Sequence, residues 1–418
     1  MTSAERNDIL SRYGLGLLFI VAAIIGGNTA PGGLADVPLK IMTCGLAIAL
    51  LLRAKRAPIP TGVLLFSVSV ALLFGFQLLP LPAALLDELQ PVLQATFSGE
   101  NPTAWRPISL TIGATLEAAS FTLPIILLLC AMATLPLHHL IALAPFVLIG
   151  CVVNIVVAVT QYMMSSREVT YEWLDYTITV GLFANANHFS ALLYASIPLA
   201  FAYFIPRRRL ILPFLFAGSV IFILSLSGSR AGLGLSVAAT IFAVALILGL
   251  AATRGERVPL LLLPGFAGAT LAVALIAGQF VELSSLDTAR SQIWQTTIIA
   301  MLDNGVVGTG IGSFVQAFQS YEPPFTITRK FINHAHNDFL ELVLEGGVPA
   351  LLLMIFALAL AVTYWWRSNG RLETSCSAFA LLVLLAHSAI DYPARTFIIA
   401  LLSAYFLAIL ARGAQVKP

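Results

Sequence analysis

Charge is scarce in this chain. Lysine and arginine total 22 and aspartate and glutamate 20 in 418 residues, so 10% of positions are charged. Average usage in soluble domains is about 25%, and a fold that presents most of its surface to water is excluded. Cysteine is sparse as well. Cys44, Cys130, Cys151 and Cys376 all lie inside apolar runs without Cys-x-x-Cys spacing, which argues against a disulfide framework and a thiolate metal site. The net charge of +2 comes with no long basic tract, so no nucleic acid is expected as a partner. The first apolar run lacks a small-x-small cleavage site and ends in a Gly/Pro turn, so it does not read as a cleavable signal peptide.

What fills the chain instead is apolar: 59% of residues are hydrophobic, and the mean hydropathy is +0.93. Runs approach the ~20 residues that cross a bilayer again and again, with short breaks of Arg, Lys, Pro or Gly between them. The expectation is an all-α polytopic membrane protein, residues 1–418 forming a single integral membrane domain of about twelve transmembrane helices. Spans are placed near 14–30, 37–52, 62–80, 111–134, 139–160, 187–205, 210–226, 231–251, 258–278, 347–366, 374–390 and 396–411. With the N-terminus cytoplasmic, the inner breaks hold 14 of the 22 basic residues, including Arg207, Arg208, Arg209, Arg254, Arg367 and Arg412. That bias supports both termini inside and the longer segments outside. The spans over 111–134 and 139–160 have the weakest signals, because Pro124 interrupts the first, Pro136 closely follows it and the His138-His139 break has no Arg or Lys.

Three outer segments are long: 81–110, 161–186 and 279–346. The last reads as a long periplasmic loop and carries the densest polar stretch of the chain. His334 and His336 flank Ala335, Asn337 and Asp338 follow, and Glu341 and Glu345 recur at helical spacing before Gly346, Gly347 and Pro349. Read as a helix from Asp338, the three acids share one flank. Taken alone, they are expected to be a solvated first turn, where carboxylates favour a helix N-terminus. The histidines invite a chemical reading.

Several of these residues carry a resemblance. His336-Asn337, nine residues, then Gly347 is similar to the His-(Asn/Ser/Gln)-x9-Gly signature of the O-antigen ligase and polymerase family of bacterial membrane glycosyltransferases. Ser227-Gly228-Ser229-Arg230-Ala231 resembles the family's Ser-x-Ser-Arg-(Ala/Gly) stretch. Arg290-x3-Trp294 with Gly308-x-Gly310-x-Gly312-x-Phe314 resembles the first half of its large periplasmic loop, and Asn185-Ala186-Asn187-His188 an Asn-rich segment before a middle span. The likeness runs in register over roughly 180 to 350. One position departs: Ala350 stands where the signature has Gly, Thr or Tyr.

The resemblance implies a GT-C-like helical architecture in the bacterial inner membrane, with the active site on the periplasmic side. It implies an undecaprenyl-pyrophosphate-linked glycan as donor and an acceptor hydroxyl, on a growing lipid-linked glycan or on lipid A core. Such a transfer needs a base at the hydroxyl and cations at the departing pyrophosphate. His336 is the candidate base, since imidazole takes protons near neutral pH. Arg230 and Arg290 are the candidates for the pyrophosphate, because guanidinium stays charged and forks onto phosphate oxygens. His334, Asn337, Arg329, Asn187 and His188 are secondary candidates for substrate contact. No motif calls for a divalent cation or other cofactor, and the expectation is a metal-independent transferase. Ala350 and the lack of a Lys/Arg-rich outer segment tilt the reading toward a polymerase, with an O-antigen ligase acting on lipid A core as the alternative.

Rival readings meet specific obstacles. His334-x-His336-x-Asp338 matches the start of the HxHxDH metal run of metallo-β-lactamase-like hydrolases, but Phe339 stands where the final His belongs, and the chain has no room for that soluble fold. A transporter of a lipid-linked or polar substrate would have similar halves and charges near the midplane. Here Glu117 is the main candidate for an intramembrane acid. A sugar-nucleotide enzyme would carry an inner Asp-x-Asp pair or glycine loop, and neither is found.

Overall fold

The computed structural model describes residues 10–28, 36–52, 57–90, 105–164, 179–254, 286–324 and 332–416. Fifteen α-helices run through these residues. They are α1 (Leu15–Ile25), α2 (Asp36–Leu51), α3 (Thr61–Leu78), α4 (Ala83–Leu89), α5 (Ile112–Met132), α6 (Leu137–Ile141), α7 (Ala144–Met164) and α8 (Ala186–Phe204), followed by α9 (Ile211–Leu226), α10 (Arg230–Arg254), α11 (Leu286–Asn304), α12 (Phe314–Gln319), α13 (Asp338–Arg367), α14 (Leu372–Ser388) and α15 (Phe397–Gly413). Helix is the form that lets an apolar segment satisfy every backbone N–H and C=O internally in lipid. Each expected span carries a helix except 258–278, which lies outside the described residues, as does Arg329.

Six helical stretches among the described residues are long and apolar enough to cross a membrane: Thr61–Leu78, Ile112–Met132, Leu137–Met164, Ala186–Arg207, Arg230–Gly249 and Asp338–Arg367. Ser11–Ile25, Ile211–Leu226, Leu372–Ser388 and Phe397–Gly413 are apolar but shorter. The chain is a mostly helical, multi-pass membrane protein. Its centre is formed by α8 and α15, nearly all of whose residues are buried. Around them α10 and α14 pack on α8, and α14 also packs on α15, while α2 lies against α5 and α1 against α7. Glu117 on α5 is paired with Lys40 of α2, so the expected intramembrane acid is neutralised by a neighbouring helix.

Polar side chains fasten the segments at one end of the bundle. A two-stranded ribbon, β1 (Pro80–Pro82) and β2 (Trp105–Pro107), pairs antiparallel with Leu81 opposite Arg106, and Arg106 reaches Asp87 of α4 at 2.8 Å. Beside it, the glycine-rich stretch after α11 is bonded on both sides. Gln90 Nε2 donates to Gly308 O at 2.7 Å, Leu110 N to Thr309 O at 2.9 Å, Gly310 N to Glu345 O at 2.8 Å and Ile311 N to Gln77 Oε1 at 2.9 Å. This packing is why Gly347 must be glycine. It breaks α13 with φ 61° and ψ −156°, a region open essentially to glycine alone. A Cβ there would also come within 2.6 Å of Gly308 N.

The segment before Gly347 differs from the expectation in one respect. Asp338, Glu341 and Glu345 are not a solvated first turn; they are 8%, 0% and 0% exposed. The physical reason is Arg395, in the turn between α14 and α15, which supplies the cation that lets three carboxylates be buried together.

Candidate functional site

The site lies where the starts of α8, α10 and α13 meet the turn joining α14 to α15. Asn337 fixes the first of these junctions. It is the N-cap of α13: its Oδ1 accepts from Phe339 N at 3.0 Å and Leu340 N at 3.1 Å, and its Nδ2 donates to Ala389 O at 2.9 Å. An Asn at this place satisfies two of the orphan N–H groups of a helix start. Asn337 therefore holds the backbone at this junction.

Immediately before the cap, His336 adopts φ 51°. Left-handed backbone is uncommon for a residue with a side chain, and positions held there cost of order 1–3 kcal/mol and cluster at functional sites. The turn aims the imidazole at Asp391, with Nδ1 at 3.1 Å from Oδ1. Trp294 of α11 donates its indole N–H to the His336 carbonyl at 3.3 Å. Tyr392 lies edge-on to the same imidazole, centroids 5.0 Å apart.

Asp391 is the hub. It is fully buried, and its second oxygen accepts from Asn187 Nδ2 and lies 3.8 Å from Arg290. Burial alone would raise its carboxyl. The hydrogen bond from His336, the neighbouring His188 imidazole and the Asn187 amide outweigh this and hold it well below the usual carboxylate range. An ionised Asp391 can only accept, so in the neutral imidazole of His336 the proton sits on Nδ1 and Nε2 carries the lone pair.

Asn187 extends the assembly to the Ser-x-Ser-Arg stretch, since its Oδ1 accepts from Ser229 Oγ at 2.7 Å. Arg230 follows at the exposed start of α10. Of the residues singled out in the sequence, His336, Arg290 and Asn187 thus converge directly on Asp391, and Arg230 is joined to them through Ser229 and Asn187. His188 is brought close but sealed: it is fully buried and its Nδ1 bonds Thr396 Oγ1 at 2.9 Å, so it braces the start of α8 against α15. Arg329 lies outside the described residues.

His334 belongs to a second cluster. Its Nδ1 is 2.7 Å from Glu341 Oε1, and Ala335 N donates to Glu341 Oε2 at 2.8 Å. Arg395 is the centre of that cluster, with its guanidinium 2.9 Å from Glu345, 3.2 Å from Glu341 and 3.7 Å from Asp338. Burial would lower this guanidinium, but Glu341, Glu345 and Asp338 overcome that effect and push it up, so it remains charged. The remaining carboxylate oxygens accept from Gly312 N and Phe314 N, from Ser388 Oγ and from Ala394 N. His334, His336 and Asp338 therefore point to three different partners, Glu341, Asp391 and Ser388. Among the described residues no three His, Cys, Asp or Glu side chains are grouped as a metal ion would require.

Sequence reasoning missed both Asp391 and Arg395. The only local signal was Asp391-Tyr392-Pro393-Ala394-Arg395 itself, two opposite charges in a short break between apolar runs.

Residues 176–355 match the family model described as O-antigen ligase. The matched stretch includes Asn187, Arg230, Arg290 and His336 and ends before Asp391 and Arg395. No curated protein matches the chain.

Proposed function

We propose that this chain, whose residues 176–355 match the O-antigen ligase family model, belongs to the O-antigen ligase and polymerase family and transfers a glycan from an undecaprenyl-pyrophosphate-linked donor to an acceptor hydroxyl. The reaction takes place at the periplasmic face of the bacterial inner membrane. The observation that carries the proposal is the convergence of His336, Arg290 and Asn187 on one buried carboxylate, Asp391.

His336 Nε2 takes the proton of the acceptor hydroxyl as its oxygen attacks the anomeric carbon. The bond from that carbon to the pyrophosphate oxygen breaks, and the electron pair leaves with the pyrophosphate, whose growing charge Arg230 and Arg290 neutralise. Asp391 holds the His336 tautomer and stabilises the imidazolium that forms, in the manner of a base–orienter pair. Two arginines can meet the charge of the leaving group, and the reaction proposed is metal-independent.

Ala350 loses its bearing on the acceptor. It is fully buried and packs with Leu73, Phe74, Ala119 and Ile311, so its departure from the signature concerns helix packing and gives no ground for preferring a polymerase. The glycan phenotype of a deletion strain separates the two: single repeat units on lipid A core mark a lost polymerase, and long lipid-linked chains beside bare core mark a lost ligase. The transfer itself is tested with purified protein and lipid-linked donor in excess chelator. Wild type should turn over, Arg230→Ala and Arg290→Ala should nearly abolish it, and the Lys variants should recover it in part because the bidentate fork is lost. Full activity in both Lys variants would remove the pyrophosphate clamp, and a wild type silenced by chelator would remove the metal-independent mechanism.

A further inference from the structure

Helix α11 has an exposed face that changes character along its length. Ser291, Gln292 and Gln295 are exposed near its start, and Ile298, Ile299 and Leu302, with Val306 just beyond the helix, are exposed toward its end. The spacing of three, four and seven residues keeps them along one side. Leu302 is 74% exposed, Val306 59% and Ile299 55%, an extent of apolar surface that water does not tolerate without cause. Asp303, the one acid at this end, interacts with the Tyr321 hydroxyl.

The depth of this face follows from α13, against which α11 packs. Trp365 and Trp366 are exposed at the far end of α13 beside Arg367, the aromatic and basic residues that mark a membrane–water interface. From Trp366 back to Val348 is 18 residues, or ~27 Å at 1.5 Å per residue, against a hydrocarbon thickness of ~30 Å. Val348 is therefore still within the hydrocarbon, near its opposite boundary. Val348 N donates to Gly305 O at 2.9 Å and Val306 O at 3.3 Å, so the end of α11 is at the same depth. The exposed Val348, Leu351, Leu352 and Ile355 of α13 continue this lipid-facing surface downward.

We infer that residues 298–306 are seated in the leaflet opposite Trp366, with the exposed apolar face of α11 against lipid acyl chains and its polar start in the headgroup layer. The segment read from the sequence as a loop outside the membrane thus dips back into it. Arg290 is eight residues before Ile298, ~12 Å along the helix, on the polar side of the boundary. Where the transferase reading holds, this sets its guanidinium at the level of a pyrophosphate whose polyprenyl tail is in the bilayer. The seating itself does not depend on that reading.

The test is depth-resolved quenching on the full chain in liposomes of phosphatidylethanolamine and phosphatidylglycerol. Variants with one introduced cysteine each, Ser291→Cys, Gln292→Cys, Ile299→Cys and Leu302→Cys, in a Cys44→Ser background that retains only the buried Cys130, Cys151 and Cys376, carry a small fluorophore at the introduced, exposed position. Labels at 299 and 302 should be dimmed by doxyl-labelled phospholipid and shielded from aqueous iodide, and labels at 291 and 292 should show the reverse. Iodide quenching at 302 equal to that at 292 would overturn the inference. Shielding at 299 and 302 from both quenchers would overturn it as well, assigning the face to a protein neighbour. Neither outcome bears on transfer activity, so failure here is distinguishable from failure of the transferase reading.

Discussion

His334 and His336 are two residues apart, each bonded through Nδ1 to a carboxylate, and their surroundings differ. The His334 side chain is 11% exposed and its partner Glu341 not at all, within a cluster where Arg395 gathers three acids. The His336 side chain is 28% exposed, on a strained turn, with Arg290 on the far side of its carboxylate. A histidine–carboxylate pair is thus no indicator of catalysis in itself. What separates the two is access for a substrate, together with a cation placed where an anion would arrive. The sealed pair supports the open one, since Arg395 and Asp391 are four residues apart in one turn and Glu341 and His336 five apart across the start of α13.

The comparison breaks most directly at His336. His336→Ala should lower turnover of a lipid-linked glycan by ~10²–10⁴-fold, the usual contribution of a positioned general base, while donor binding and the folded fraction in membranes stay at wild-type level. An active variant would remove the division of labour between the two histidines. Asp391→Asn should cost less than this upper bound but more than tenfold. The amide can offer its N–H to Nδ1 and so stabilise the tautomer with the wrong nitrogen protonated, an effect of about 10⁴ where a triad carboxylate is neutralised. The measurement is kcat against pH for both forms, and a variant matching wild type across the profile would reduce Asp391 to packing.

On the sealed side the effect should appear in stability. Arg395→Met leaves Asp338, Glu341 and Glu345 buried without their cation and should destabilise the protein by about 3–5 kcal/mol, read as a fall in thermal midpoint and in membrane-integrated yield. Arg395→Lys should recover part of it, because an ammonium reaches fewer carboxylates at once. Smallest of the four, His334→Ala removes one bond from buried Glu341 and should cost about 1–3 kcal/mol of stability. Its effect on kcat should stay below that of Asp391→Asn in the same turnover assay; equal losses at 334 and 336 would mean that the sealed cluster takes part in the chemistry.

Much of the frame was legible beforehand. Apolar runs of the right length become helices because the solvent they face leaves the backbone no other partner, and the eleven expected spans within the described residues show it. Gly347, His336, Arg230 and Arg290 were visible because their neighbours in sequence are also their context. Asn187 was visible only as part of an Asn-rich string. Its use, bridging Asp391 to Ser229, joins residues 204 and 42 positions apart, and no local pattern encodes that. The three acids of α13 were misjudged for the same reason. A carboxylate at a helix start is solvated by default, and the exception depends on a cation brought in from residue 395.

The sequence by itself determined that this chain dwells in a membrane, which segments are helical and which residue types could move a proton or meet a phosphate, because hydropathy, backbone satisfaction and side-chain chemistry are local properties. Only the tertiary structure decided which histidine stays partly open, which acid it is bonded to and which acids are gathered around Arg395. Those roles depend on burial and on partners across the bundle, and the free energy of a charge is set by what surrounds it in space.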